Sequence, residues 1–192
     1  MRRYCILLVF CAIACNSKDR EATPPTAPKP ESVPGAKYSA AFARSLDGAL
    51  GAYNGLLGAF AKGDTAAIGS SGRALAQSLD GLGLDDFKTD TLVYQTAVSK
   101  ISDTRTEIKG LLGEVTLSGR RNELNMVSQD LYDLLRIVNY AGKTLYLTEC
   151  GTALSGGQAG DWISATSDST AGGNPYTGGA GCAQVKDSIG KR

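Results

Sequence analysis

A chain of 192 residues with 42% hydrophobic, 20% charged and 7% aromatic residues has room for one folded domain plus accessories, and is too charged to cross a membrane many times. Its formal charge of +1 and the lack of any Lys/Arg run remove the electrostatic basis for nucleic-acid binding. Histidine is absent, which excludes histidine general bases, histidine metal ligands and a histidine pH switch.

The chain opens with a short basic start, Met1-Arg2-Arg3-Tyr4, and an apolar run from Cys5 to Ala14. A membrane span needs about 20 apolar residues, so this run is too short to cross a bilayer but suits the core of a secretory signal. It stops at Ala12-Ile13-Ala14-Cys15, with polar Asn16-Ser17-Lys18-Asp19-Arg20 directly behind. Small residues before a cysteine at this point resemble the bacterial lipobox. The resemblance implies a lipoprotein signal peptide over 1–14 and a diacylated Cys15 as the first mature residue. Acyl chains would then replace a span as the membrane anchor, at about 0.8 kcal/mol per buried CH₂. Asn16 behind the cysteine points to the outer membrane, facing the periplasm. Loss of Arg2 and Arg3 leaves the mature chain one acid in excess.

Residues 15–36 follow as a tether. Five of the six prolines sit there, at Pro24, Pro25, Pro28, Pro30 and Pro34. Such a segment is extended at about 3.1 Å per residue and would hold a domain tens of ångströms off the lipid.

From Tyr38 the pattern turns helical. Phe42, Leu46, Ala49, Tyr53, Leu56 and Phe60 form one face of a first helix. Gly63 breaks it and Asp64 caps the next. Ile68, Leu75 and Leu79 mark a weaker second helix, ended by Gly81-Leu82-Gly83. A third begins near Asp90 or Thr91, with Tyr94, Val98, Ile101, Ile108, Leu112 and Val115 as its face and Arg105 interrupting it. A fourth follows Ser118 as N-cap, with Leu124, Val127, Leu131, Leu134, Val138 and Ala141 inward. Gly48, Gly51, Gly55 and Gly58 lie inside the first helix, each costing about 1 kcal/mol against Ala. Close helix packing or a marginally stable helix would each account for them.

Short connections make successive helices antiparallel. The expected fold is therefore all-α: an up-down bundle of about four helices within 37–189, with a short extended, loop-rich C-terminal tail. In that tail Thr144–Cys150 alternates enough for an extended segment. Gly-rich loops carrying Trp162-Ile163-Ser164, Asn174-Pro175-Tyr176 and Gly181-Cys182 complete it. Trp162, Asn174 and Tyr176 are candidates for lining a pocket or for anchoring loops against the bundle, and Asn174-Pro175 is a turn signal.

Tyr146 and Cys150, Trp162-Ile163-Ser164, Asn174-Pro175-Tyr176-Thr177-Gly178 and Cys182 come in an order that resembles the bacterial domain of unknown function 3347 family. Arg121, Ser128, Leu131, Tyr132 and Leu134 fall where that family carries Arg, Ser and Leu-Tyr-x-Leu. The resemblance spans roughly 38–189. It implies a periplasmic or lipoprotein domain of the kind also fused to heavy-metal efflux adaptors. Soft-metal binding or support of an efflux assembly would follow, with Cu(I) or Zn(II) as the ion. Thiolates suit such ions. This chain departs at the ligands: Thr152 stands where relatives carry Met, Gly179-Ala180-Gly181 precede Cys182 in a shorter loop, and Met126 is the only mature methionine.

A metal site would thus reduce to Cys150 and Cys182. An even pair in an exported protein reads first as a disulfide. The alternative function is then a structural or protein-interaction lipoprotein that has lost metal binding. No catalytic residue is nominated. Asp85, Asp86 and Asp90 read as solvated or capping acids. Gly156-Gly157 and Gly172-Gly173 do not sit between a strand and a helix. No histidine or placed lysine is available to activate a hydroxyl.

Overall fold

The computed structural model describes residues 37–168, 173–179 and 181–191. The signal peptide, the lipidation site at Cys15 and the tether fall outside them.

Helix α1 runs Ala40–Lys62. The Ser39 hydroxyl opens it by accepting from the Phe42 amide, and Gly63, at φ +65°, closes it in the left-handed conformation that glycine adopts freely. Asp64 then accepts from Ala66 N and Ala67 N to start α2, Thr65–Asp80. A 3₁₀ turn at Asp85–Phe87 brings Phe87 onto Phe42, ring centroids 5.0 Å apart, with Tyr38 alongside. Asp90 caps α3, Thr91–Gly113, as its side chain predicts.

Three details of the helical reading change. The buried stripe of α3 is Ala97, Thr104, Ile108 and Leu111, while Val98 is 44% and Val115 92% exposed. A count of large apolar residues misses this stripe because Ala97 is small and Thr104 is polar. Thr104 fits the core by donating its hydroxyl proton to the Lys100 carbonyl, 2.7 Å away. Helix α4, Leu117–Ile137, is capped by Thr116 rather than Ser118; the Thr116 hydroxyl accepts from Gly119 N, and Ser118 already has helical geometry. The helix stops before Ala141, which is only partly buried.

The four glycines of α1 face open space. A Cβ at Gly48, Gly51 or Gly58 would meet nothing within 4 Å, and at Gly55 only Ser71 Oγ at 3.8 Å. Close helix packing does not explain them.

The all-α expectation is overturned beyond residue 144. Strands β1 (Leu145–Cys150), β2 (Gly160–Ser164) and β3 (Ala183–Ile189) form an antiparallel sheet in the order β2-β1-β3. The fold of the described residues is thus four helices with a three-stranded sheet. β2 escapes a pattern search because its residues Gly160–Ile163 are all buried, leaving no alternation, and it is only five residues long. β3 escapes because it is an edge strand of mixed polarity, and a bulge shifts its register between Leu147 and Thr148 of β1.

Candidate functional site

The tail residues singled out by sequence converge on the sheet. Cys150 ends β1 and Cys182 precedes β3, and the two form a disulfide with Cα atoms 4.8 Å apart. That separation lies well inside the range a disulfide spans. Cys150 is 1% exposed, whereas Cys182 is partly exposed.

Asn174 and Tyr176 hold the loop that the disulfide closes. Asn174 Oδ1 accepts from Tyr176 N at 2.8 Å and from Thr177 N at 3.3 Å, and its Nδ2 donates to Cys182 Sγ at 3.3 Å. The Tyr176 hydroxyl donates to the Asp161 carbonyl at 2.7 Å, and its ring packs edge-to-face on Trp162. Tyr176 lies so close over Gly160 that a Cβ there would stand 2.8 Å from the ring, so β2 must carry glycine at that position. The loop also reaches α1: Gly178, at φ +74°, sits over the Ala61 carbonyl. Asn174 and Tyr176 are therefore anchors. Trp162 is an anchor that also walls an open cleft of about 270 Å³, shared with Asn54, Gly58 and Thr166.

Between the helices and the sheet runs a polar belt that the sequence did not single out. Ser128 donates to the Leu124 carbonyl, so the hydroxyl hydrogen between Ser128 and Tyr53, 2.8 Å apart, belongs to Tyr53. Tyr53 in turn accepts from Ile163 N at 3.0 Å. Nearby, Asp161 N donates to Asn125 Oδ1, Gln129 Nε2 donates to Asp161 Oδ2, and Lys186 Nζ lies 3.2 Å from both carboxylate oxygens. Lys186 also pairs with Glu149 at 2.9 Å. The visible hints were a tyrosine in the apolar stripe of α1 and the serine at Ser128. Asp161 and Lys186 gave none, since their meeting depends on strand register.

Burial and charge pairing set the titration of these groups. Burial pushes the Tyr53 and Tyr176 hydroxyls far above their ordinary value, so both stay protonated. The Glu149 carboxylate, and after it Asp161, raise Lys186, which keeps its charge.

No protein-family model, curated protein or solved structure matches this chain. Among the described residues no helix is long and apolar enough to cross a membrane, and no group of three or more Cys, Asp or Glu side chains is set to hold a metal ion. The chemistry of the remaining donors bears on Cu(I) and Zn(II) directly. Soft ions bind thiolates, and both sulfurs here are spent on each other. Cys150 and Cys182 as joined do not fit either ion. Of the resemblance residues of α4, Ser128, Leu131, Tyr132 and Leu134 are buried in the core or its polar belt, and Arg121 is partly buried.

Proposed function

We propose that this chain is a lipid-anchored, non-enzymatic protein of the bacterial cell envelope that acts by holding a partner, and that Cys150 and Cys182 serve its architecture. The observation that carries this reading is the disulfide between them. A disulfide of this kind persists in oxidising compartments, the setting that the lipobox at Cys15 implies. The buried tyrosine hydroxyls and the charged lysine, each bonded within the fold, support a scaffold rather than a reaction centre.

Fractionation of cells expressing the protein tests the anchor. The wild type is expected in the membrane fraction with acyl mass on its first mature residue, and Cys15→Ser in neither state. Maleimide should label Cys150 and Cys182 only after reduction. Labelling without reduction would defeat the structural assignment.

The second reading, soft-metal support of an efflux assembly, draws on the same pair once reduced, because Cα atoms 4.8 Å apart keep two thiolates within reach of one ion. Titration of reduced protein with Cu(I) separates the two. Uptake that Cys150→Ser abolishes favours the metal reading, and no uptake favours the scaffold.

A further inference from the structure

Arg105, the residue that interrupts the apolar face of α3, marks a second site away from the sheet. Helices α2 and α3 meet at Gly72 and again at Arg105, with a cleft between these contacts. At one point Gly72 has no side chain, so Leu112 Cδ2 comes to 3.3 Å of where a Cβ would stand. At the other, Arg105 Nε pairs with Asp80 at 2.9 Å. Ala76 lies midway on the same face of α2, four residues from each, and is too small to fill the gap. An open cleft of about 350 Å³ results, within the size range of small-molecule sites.

Its lining is divided by chemistry. Ala76, Ile108 and Leu112 give an apolar floor; Ser102, Arg105, Thr106 and Lys109 give a polar rim. Arg105 and Lys109 stand four residues apart on α3, a like-charge spacing that weakens a helix unless an anion lies between. Arg105 is shared with Asp80, while Lys109 makes no ion pair among the described residues. No acid lines the cleft.

We propose that this cleft binds a single-chain anionic amphiphile, its carboxylate at Lys109 and Arg105 and its hydrocarbon against Ala76, Ile108 and Leu112. Apolar floor and cationic rim together select this class: a small anion lacks the chain, and a cationic surfactant carries the wrong charge. Shape and charge of the α2–α3 seam carry the assignment, independently of the tail and of the proposed anchor.

Calorimetric titration of the purified, disulfide-intact protein tests it with decanoate, acetate and decyltrimethylammonium, each below its micelle threshold. Decanoate should bind saturably, and the other two at least about tenfold more weakly. Ala76→Leu, which fills the cleft with a good helix former, and Lys109→Glu, which reverses the exposed charge, should each weaken decanoate at least about tenfold with an unchanged circular dichroism spectrum. If Ala76→Leu fails to fold, Lys109→Glu and the methyl resonances of Ile108 and Leu112 decide alone. No saturation, equal binding of the cationic surfactant, or decanoate binding indifferent to Lys109→Glu would overturn the proposal.

Discussion

In α1 to α4 almost every backbone hydrogen bond closes within its own helix, and side chains need only supply an apolar face and a cap. In the tail, β2 completes its bonding with side chains from elsewhere. Its Ile163 amide goes to Tyr53 of α1, its Asp161 amide to Asn125 of α4, and its Asp161 carbonyl to Tyr176 of the closing loop. An open strand edge invites pairing with another chain; here side chains cap it. The tail is thus built on long-range, one-of-a-kind contacts, and the body on repeated local ones. A disulfide belongs in the former, where it closes a loop that few local hydrogen bonds order.

The sharpest way to break this contrast is to remove the clasp. Replacing Cys150 and Cys182 by Ser, across a separation of 32 residues, should cost about 3.7 kcal/mol by the chain-entropy estimate. Hydrogen exchange should show amides of β2, β3 and the 173–179 loop losing protection while those of α1 to α4 keep most of theirs. Equal loss in both regions would mean that body and tail unfold as one unit. Tyr53→Phe comes next. It keeps the buried ring but strips the Ile163 amide of its acceptor and Ser128 of its donor. One buried polar group left unpaired costs about 1–3 kcal/mol. Urea unfolding should register that loss, and exchange should show it first at β2.

The same contrast explains what could be read in advance. Helical periodicity exposed the inner faces of α1 and α4 and the caps at Asp64 and Asp90, because each depends on residues within one or two turns. It failed at α3, where Ala97 and Thr104 replace large apolar residues on the inner stripe. The sheet was half legible: Leu145–Cys150 alternates, but β2 is buried throughout and β3 is a polar edge. Of the candidate site, Cys150, Cys182, Asn174 and Tyr176 announced themselves through cysteine parity and turn chemistry. The meeting of Asp161, Lys186 and Gln129 did not, since a one-residue shift in strand register would separate them.

Glycine offers a smaller, two-sided test. Gly51 is exposed inside α1 with open space where a methyl would stand, whereas Gly160 lies under Tyr176 and against Ala153. One substitution should therefore have opposite signs. Gly51→Ala should stabilise by about 0.8–1 kcal/mol, and a thermal melt should rise by about 2–4 °C. Gly160→Ala should destabilise by about 1–3 kcal/mol, as overpacking does. If both stabilise, the close approach of Tyr176 does not constrain β2.

The smallest effect concerns two acids, one paired with a cation and one facing other carboxylates. Asp161 in the tail meets Lys186 and the Gln129 amide. Glu123 in the body lies across Gly110 and faces Glu107 and Glu114, so burial first and those two carboxylates next raise its pKa above the ordinary value. The sign follows from linkage. A carboxyl raised on folding holds its proton more tightly in the native state, so the fold gains stability as pH falls through the raised value and gains no more below the ordinary one. Above that window the charged Glu123 weakens the α3–α4 contact. Glu123→Gln should therefore flatten the pH dependence between those two limits. At neutral pH it should stabilise by about 0.5 kcal/mol, the scale of a solvent-screened charge interaction, with the gain shrinking at high salt. Urea titrations of both proteins at neutral pH and near the ordinary carboxylate pKa measure it. A variant less stable than wild type at neutral pH would show that Glu123 finds a compensating partner.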